Sequence, residues 1–273
     1  LHFENERMDI YSKSGKLVNL ALDDSVHVSI ADLMHADMLK VAINKRAHGS
    51  KLKPFFAATP LAKPLANVFD VVQAQGEATA AIDLLVNLRS GHVDAVGEVE
   101  LANLPVYLAQ PGITLSHMTG IVKFNNDKIV LNNAQANWLG MPLTASFNSE
   151  NVGDNYRAEI AIELALEADP LIEQAHGLLS GYLAGQSNVD VGISLNFLPN
   201  DFNYRADITG NLVGVASQLP APYNKNAEQT WPLNAVVQGD HISNLITANI
   251  DNKLFFNAIL DNGKKKFNNA HLI

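Results

Sequence analysis

The chain has 273 residues, 47% hydrophobic, 7% aromatic and 17% charged, with no cysteine. An ordinary apolar share excludes intrinsic disorder, which needs low hydrophobicity and high charge. Lys and Arg number 19 against 28 Asp and Glu, a net charge of -9, so no nucleic acid partner is expected, because a phosphate backbone needs clustered cations. The absence of cysteine removes thiolate metal sites, iron–sulfur clusters, disulfides and thiol catalysis together.

No basic start, apolar core and small-residue cleavage site opens the chain at Leu1. No apolar run approaches the ~18 residues of a membrane span. The closing residues, Asn268 to Ile273, read as the start of another strand, so the sequence is expected to be a piece of a longer chain.

Period-two alternation dominates and marks strands with one buried face. It predicts strands over residues 26–30 and 39–43. Thr59-Pro60, followed by Leu61, Leu65, Val68, Phe69 and Val72, has the spacing of an amphipathic helix, with Thr59 as N-cap and Pro60 in the first turn. Strands follow over 80–88, 93–101, 129–138 and 156–164. In the last of these, Tyr156, Ala158, Ile160, Ile162 and Leu164 oppose Arg157, Glu159, Ala161 and Glu163. Asp169-Pro170, then Leu171, Ala175, Leu178, Leu179 and Tyr182, predicts a second helix with Gly185 as its C-cap. Strands over 189–197 and 254–260 complete the series. Ser90-Gly91-His92, Asn125-Asn126-Asp127, Val152-Gly153-Asp154, Pro199-Asn200-Asp201 and Asp261-Asn262-Gly263 supply turns, so consecutive strands are expected to be antiparallel.

A shift of 109 residues lays Gly76 on Gly185 and the apolar row from Ala80 to Leu88 on that from Val189 to Phe197. The expected organisation is therefore strands ending a preceding unit (1–58), a first helix-plus-strands unit (59–168) and a second, truncated one (169–273). Stacked copies of one such unit make an elongated array.

Nine histidines raise the question of a metal or acid–base site. Asp32, His35 and Asp37 lie close together after the strand that carries His27, a set a first-row metal accepts, although a capped turn with a solvated histidine explains it better. Asp94, Glu98 and Glu100 share one strand face. Glycoside chemistry needs two carboxylates across a cleft, one with a raised pKa, so these read as a wet face. No nucleophile elbow, P-loop or dinucleotide fingerprint occurs. Lys264-Lys265-Lys266 reads as a solvated hairpin tip, and Leu219-Pro220-Ala221-Pro222 as a spacer between strands. No catalytic residue, metal or cofactor is expected.

Residues 30–49 (IADLMHADMLKVAINKRAHG) and 58–88 (ATPLAKPLANVFDVVQAQGEATAAIDLLVNL) resemble the large AsmA-like proteins of Gram-negative bacteria. Residues 97–147 keep that family's order of a strand, LANLPVYL, a Gly-ended strand, a hairpin and a small-Gly-Pro-Leu return strand. Residues 208–240, with Leu219-Pro220-Ala221-Pro222 and Lys225, are similar to the YhdP branch.

The resemblance implies a mainly β fold: an elongated, curved antiparallel sheet forming a half-pipe groove, with short amphipathic helices at repeat boundaries. It implies a periplasmic protein anchored in the inner membrane, acting as a bridge that carries phospholipid from inner to outer membrane and supports outer-membrane integrity. The track would be lined by Ala80, Ile82, Leu84 and Val86, by Val93, Val99 and Leu101, by Tyr156, Ile160 and Ile162, and by Val189, Val191, Ile193, Leu195 and Phe197. Amphipathic strands supply one apolar and one wet face for this purpose. Alternation alone does not separate an open groove from a closed sandwich. The alternative function is a non-enzymatic scaffold or chaperone-like module in envelope assembly, holding a protein partner along a sheet edge.

Overall fold

The structure, a computed structural model, describes all residues except 1, 5, 13–15, 18–19, 22–24, 52–53, 55–71, 110–111, 154, 175, 178, 199–200 and 265. The first strands are β1 (His2–Glu4), β2 (Arg7–Tyr11), β3 (Lys16–Leu17), β4 (Leu20–Ala21), β5 (Val26–Ile30), β6 (Met38–His48) and β7 (Val72–Ala74). The long central strands are β8 (Glu77–Asn87), β9 (Val93–Leu108), β10 (Ile113–Asn125), β11 (Lys128–Trp138), β12 (Met141–Val152) and β13 (Asn155–Glu167). After helix α1 (Ala168–Gln174) come β14 (Leu183–Phe197), β15 (Phe202–Gly210), β16 (Val215–Gln218) and β17 (Asn224–Lys225). The last are β18 (Leu233–Gly239), β19 (Ser243–Ile250), β20 (Leu254–Asp261) and β21 (Lys266–Leu272). Nineteen strands belong to one sheet, and β3 pairs with β4 apart from it. The fold is mainly β and antiparallel, as the alternation predicts.

The chain divides into two compact units, one of residues 1–134 with 149–151, the other of residues 135–148 with 152–273. In the first, the neighbours run β1, β2, β5, β6, β8, β9, β10, with β7 on the far end of β9. In the second they run β13, β14, β15, β18, β19, β20, β21. Both are antiparallel throughout; hairpins join most neighbours and set their register, while longer connections lead from β2 to β5, from β6 to β8 and from β15 to β18.

The long strands of the first unit are not uniform. The buried set of β9 is Ala95, Val99 and Leu101, then Leu104 and Val106, so its phase changes after Leu101. In β10 it changes between Leu115 and Met118, and in β11 between Leu131 and Ala134. At each change stands a residue with positive φ: Asn103 (57°), His117 (55°) and Asn133 (51°). These are β-bulges, one extra residue each, and the β9–β10 register shifts there, between Leu115 and Met118 and between Met118 and Gly120. His117 Nδ1 lies 2.8 Å from Asn103 Oδ1, so the two bulged residues bond each other. A bulge in each partner keeps the apolar face continuous while both strands bend.

The second predicted helix is corrected. α1 has 7 residues, because the amide of Gly177 donates to Ile172 O at 2.9 Å and that of His176 to Glu173 O at 3.0 Å, with His176 at φ 54°. This is a Schellman stop, and it ends the helix two turns early. Leu179 and Tyr182 fall in the following turns, while Ala175 and Leu178 lie outside the described residues. Gly185 is no C-cap but a strand residue of β14 with φ 99°. The helix expected from Thr59 and Pro60 through Leu61, Leu65, Val68 and Phe69 lies outside the described residues, and Val72 opens β7.

Gly185 has a local reason. β16 pairs with β14 beyond the end of β15, so β15 and β16 form one line along β14, interrupted at residues 211–214. At the interruption the chains pass so closely that a Cβ on Gly185 would strike Gly214 O, and one on Gly214 would strike Gln186 O. Both glycines have φ 99°, open to glycine alone at no steric cost.

Candidate functional site

The second unit carries a registered grid of aliphatic side chains. Ile160, Ile193, Ala206, Val237, Ile246 and Ala258 are successive cross-strand partners from β13 to β20. Ile162, Val191, Ile208, Ala235, Ala248 and Phe256 form the next row. The margins are buried: Tyr156, Leu195 and Phe197 on one side, Leu164 and Val189 on the other, all under 8% exposed. In the middle of the grid Ile160, Ile162, Val191 and Ile193 are only half-buried, while Ala206 and Ala258 are buried. Ordinary sheet-on-sheet packing buries the middle of a face most and its margins least.

The opposite face of the same strands is polar. Ser194 Oγ donates to Glu159 Oε2 at 2.7 Å, and Arg205 holds Asp207 through two nitrogens at 2.6 and 2.8 Å. Glu163 and Asp190 are register partners on this side, both exposed.

One margin of the grid is aromatic. The rings of Tyr156, Phe197, Phe202 and Tyr204 follow one another at centroid separations of 6.1, 6.4 and 6.5 Å. Tyr204 Oη donates to Asn244 Oδ1 at 2.8 Å, and Asn244 Nδ2 to Asn262 Oδ1 at 2.7 Å, which satisfies the buried polar groups there. Burial pushes the Tyr204 phenol up from its ordinary pKa.

At the other margin the line of β15 and β16 is interrupted, and Lys225, 3% exposed, fills the gap. Its ammonium donates to Leu212 O and Val215 O at 2.7 Å each and to Asn226 O at 3.2 Å. Burial lowers its pKa, yet its three protons all find carbonyls, which is what keeps an ammonium tolerable there. Lys253 lies 4.2 Å over the ring of buried Trp231 beside it. Lys225 belongs to the Leu-Pro-x-Pro…Lys segment read from sequence, and its role there is structural.

The first unit has a matching face. Ile82 pairs with Ile43 and Gly97, and Gly97 with Phe124. Ala80, Ile82, Val99 and Leu101 are buried, whereas Leu84, Val86 and Val93 are half-buried. A Cβ on Gly97 would stand 2.8 Å from Phe124 Cζ, so the ring lies over the glycine.

A hollow of about 910 Å³ over the first unit is lined by Tyr11, His27, Ala42, Asn44, Ala81, Asp83, Val96, Glu98 and Lys123, among others. By register these share the outward face, opposite Ile43 and Ile82. Val26, Ile43, Ile82, Gly97 and Phe124 of the apolar rows also border it.

The ionisable candidates are scattered. Asp32 accepts from the amides of Met34 and His35 at 2.9 and 3.1 Å and lies 3.0 Å from His35 Nδ1, a capped turn that lowers its pKa. Asp37 pairs with Arg89, and His27 Nε2 lies 2.7 Å from Asp9. Asp94 accepts from Asn126 Nδ2 at 3.1 Å beside the β10–β11 turn. Glu98 and Glu100 stand exposed along one outward strand face, Glu98 at the border of that hollow. Among the described residues no group of three or more His, Asp or Glu is placed to hold a metal. Lys264 lies in the β20–β21 turn, donating its amide to Asp261 Oδ1 at 2.9 Å. No described helix is long and apolar enough to cross a membrane.

Alternation identified the apolar rows of β8, β9, β13 and β14. It missed the bulges, although the three-residue step from Leu101 to Leu104 signals one. It also missed Lys225 and the rows of β15, β18 and β19.

The chain is thus an antiparallel β protein whose units each carry rows of aliphatic side chains in register on one face. The profile of the YhdP protein family matches residues 1–273, and the chain belongs to that family. It is 27% identical over 209 residues to the intermembrane phospholipid transporter YhdP of Escherichia coli (strain K12). That alignment covers 75% of this chain and 16% of the relative, so the chain spans a small part of the relative's length. No solved structure matches the chain.

Proposed function

We propose that the chain binds phospholipid by its acyl tails on the apolar sheet faces, as the periplasmic part of a longer protein anchored in the inner membrane. The half-buried middle of the Ile160–Ile193 and Ile162–Val191 rows carries this reading. Those aliphatic groups are in register over neighbouring strands and keep part of their surface exposed. Placing an acyl chain over them removes apolar surface from water, worth about 0.8 kcal/mol per buried methylene. Headgroups stay at the wet margin. The family membership and the relative's name as a phospholipid transporter support lipid as the ligand. In this reading the helix-plus-strands units from residue 59 and from residue 169 are successive stretches of one curved groove, and transport runs from inner to outer membrane. No catalytic step is needed, because an apolar track moves lipid without breaking a bond.

Mass spectrometry of organic extracts from the purified chain tests this. Copurifying phospholipid is expected, and its replacement by detergent or its absence after expression in a lipid-replete host refutes the reading. The scaffold alternative rests on β21, all of whose residues are exposed and which pairs with β20. That reading predicts capture of a defined protein partner and no lipid.

A further inference from the structure

The hollow over the first unit has a definite form. Val26, Ile43, Ile82, Gly97 and Phe124 are one cross-strand row from β5 to β10. The hollow takes in that row and its chain neighbours on both sides, but not the inward side chains two positions along, such as Val41 and Ala80. Neighbours along a strand face opposite sides of the sheet. The hollow is therefore a trough on the outward face, floored by the backbone of the middle row. One wall is Tyr11, His27, Ala42, Asp83 and Val96, successive register partners. The other is Asn44, Ala81, Glu98 and Lys123. It crosses β5, β6, β8, β9 and β10, which at about 4.8 Å from strand to strand makes it about 19 Å long.

The walls suit a neutral, hydroxylated ligand. At one end the Tyr11 ring, 63% exposed, is stacked on the His27 ring at a centroid distance of 4.5 Å and an angle of 6°. The pair makes a flat platform, and the electron-rich face of an aromatic ring attracts the C–H groups of a sugar. Ala42, Ala81 and Val96 put short apolar side chains between the polar tips. Asp83 is paired with Lys40 at 2.8 Å, and Glu98 stands across from Lys123. Both signs of charge are present, so neither an anion nor a cation is selected. The carboxylates accept, and Lys123 and the Asn44 amide donate, which is the mixture that hydroxyl groups require. An extended peptide fits poorly, because the floor lies inside the sheet, where the ladders on either side already engage its N–H and C=O groups and leave no edge to join.

We infer that this trough binds a neutral oligosaccharide lengthwise, with one sugar ring on Tyr11 and hydroxyl groups on Asn44, Asp83 and Glu98. The site is independent of the acyl-chain reading, which concerns the opposite face of the sheet. Isothermal titration calorimetry of the purified chain tests it, with tetra-N-acetylchitotetraose and maltotetraose as sugars and tetra-alanine as an extended peptide. Binding of at least one sugar is expected. It is expected to be about tenfold weaker in Tyr11→Ala and close to wild type in Tyr11→Phe, which keeps the ring. Ala81→Arg fills the trough between Asn44 and Glu98 and is expected to abolish binding. Thr79→Arg adds the same charge on the outward row beyond the wall, between Arg46 and Glu100, and is expected to leave binding unchanged. Ala81→Arg carries the test if Tyr11→Ala does not fold. A wild-type chain that binds neither sugar overturns the inference. So does unchanged binding in Ala81→Arg, an equal loss in Thr79→Arg, or tetra-alanine bound as tightly as the sugars.

Discussion

Replacing Lys225 by Met keeps the length and apolar stem of the side chain and removes its ammonium. Of the three carbonyls it serves, Leu212 O also accepts from the amide of Val215 at 3.2 Å, so Val215 O and Asn226 O are the ones exposed to loss. An orphaned buried polar group costs about 1–3 kcal/mol. Removing a desolvated charge returns part of this, leaving a net destabilisation of about 2–4 kcal/mol. For a body of this size that lowers Tm by roughly 5–15 °C. Urea unfolding followed by the fluorescence of buried Trp231 measures it. The Gln218 amide, which donates to Tyr182 O at 2.7 Å, reports local opening by hydrogen exchange. A Lys225→Met chain within about 0.5 kcal/mol of wild type, with unchanged exchange at Gln218, refutes the structural role.

Gly97→Val drives a branched side chain against the backbone carbonyl of Ala81, which the new Cβ would strike, and the Phe124 ring, 2.8 Å from that Cβ, and is expected to cost about 3 kcal/mol by the same denaturation assay. Asn103→Val places a β-branched residue at φ 57° and removes the bond to His117, so a loss of about 1–3 kcal/mol is expected, with Asn103→Gly milder than Asn103→Val. Asp9, Asp32, Asp240 and Asp261 all have pKa values below 3.8: Asp9 chiefly through Arg7, Asp32 chiefly through the His35 ring, Asp240 and Asp261 chiefly through backbone amides. With the unfolded chain taking up protons first, their contribution is complete above about pH 4 and is lost as pH falls through the folded values. Acid titration of Tm is expected to fall below that point, and less steeply in Asp240→Asn, whose loss is already present at neutral pH.

Strands were legible where a single period-two phase runs from end to end. β5 carries Val26, Val28 and Ile30 on one face and β13 carries Tyr156 to Leu164 on one face, and both were found with little error in extent. β9 was cut at Leu101 because its phase changes at Asn103, and a period search stops there although the strand continues to Leu108. The second helix was drawn too long because its apolar spacing continues past Gly177, and spacing does not register that backbone carbonyls have already been taken by a Schellman turn. The role of Lys225 was hidden for another reason. Its partners are backbone carbonyls freed where β15 and β16 part, and nothing in the identities of Leu212, Val215 and Asn226 marks them. The rows of the apolar face are also non-local: that Ile193 stands beside Ile160 and Ala206 follows from register between strands, while alternation fixes only the face of each strand by itself.

Photo-crosslinking residues placed one at a time at Val191, Ile193, Asp190 and Ser194 test most directly whether the apolar face holds lipid. The first two lie in the half-buried rows, and the other two stand on the polar face of the same strand. Irradiation in cells followed by mass spectrometry is expected to give phospholipid adducts at Val191 and Ile193 and none at Asp190 and Ser194. Equal labelling of both faces, or protein adducts in place of lipid at Ile193, contradicts it.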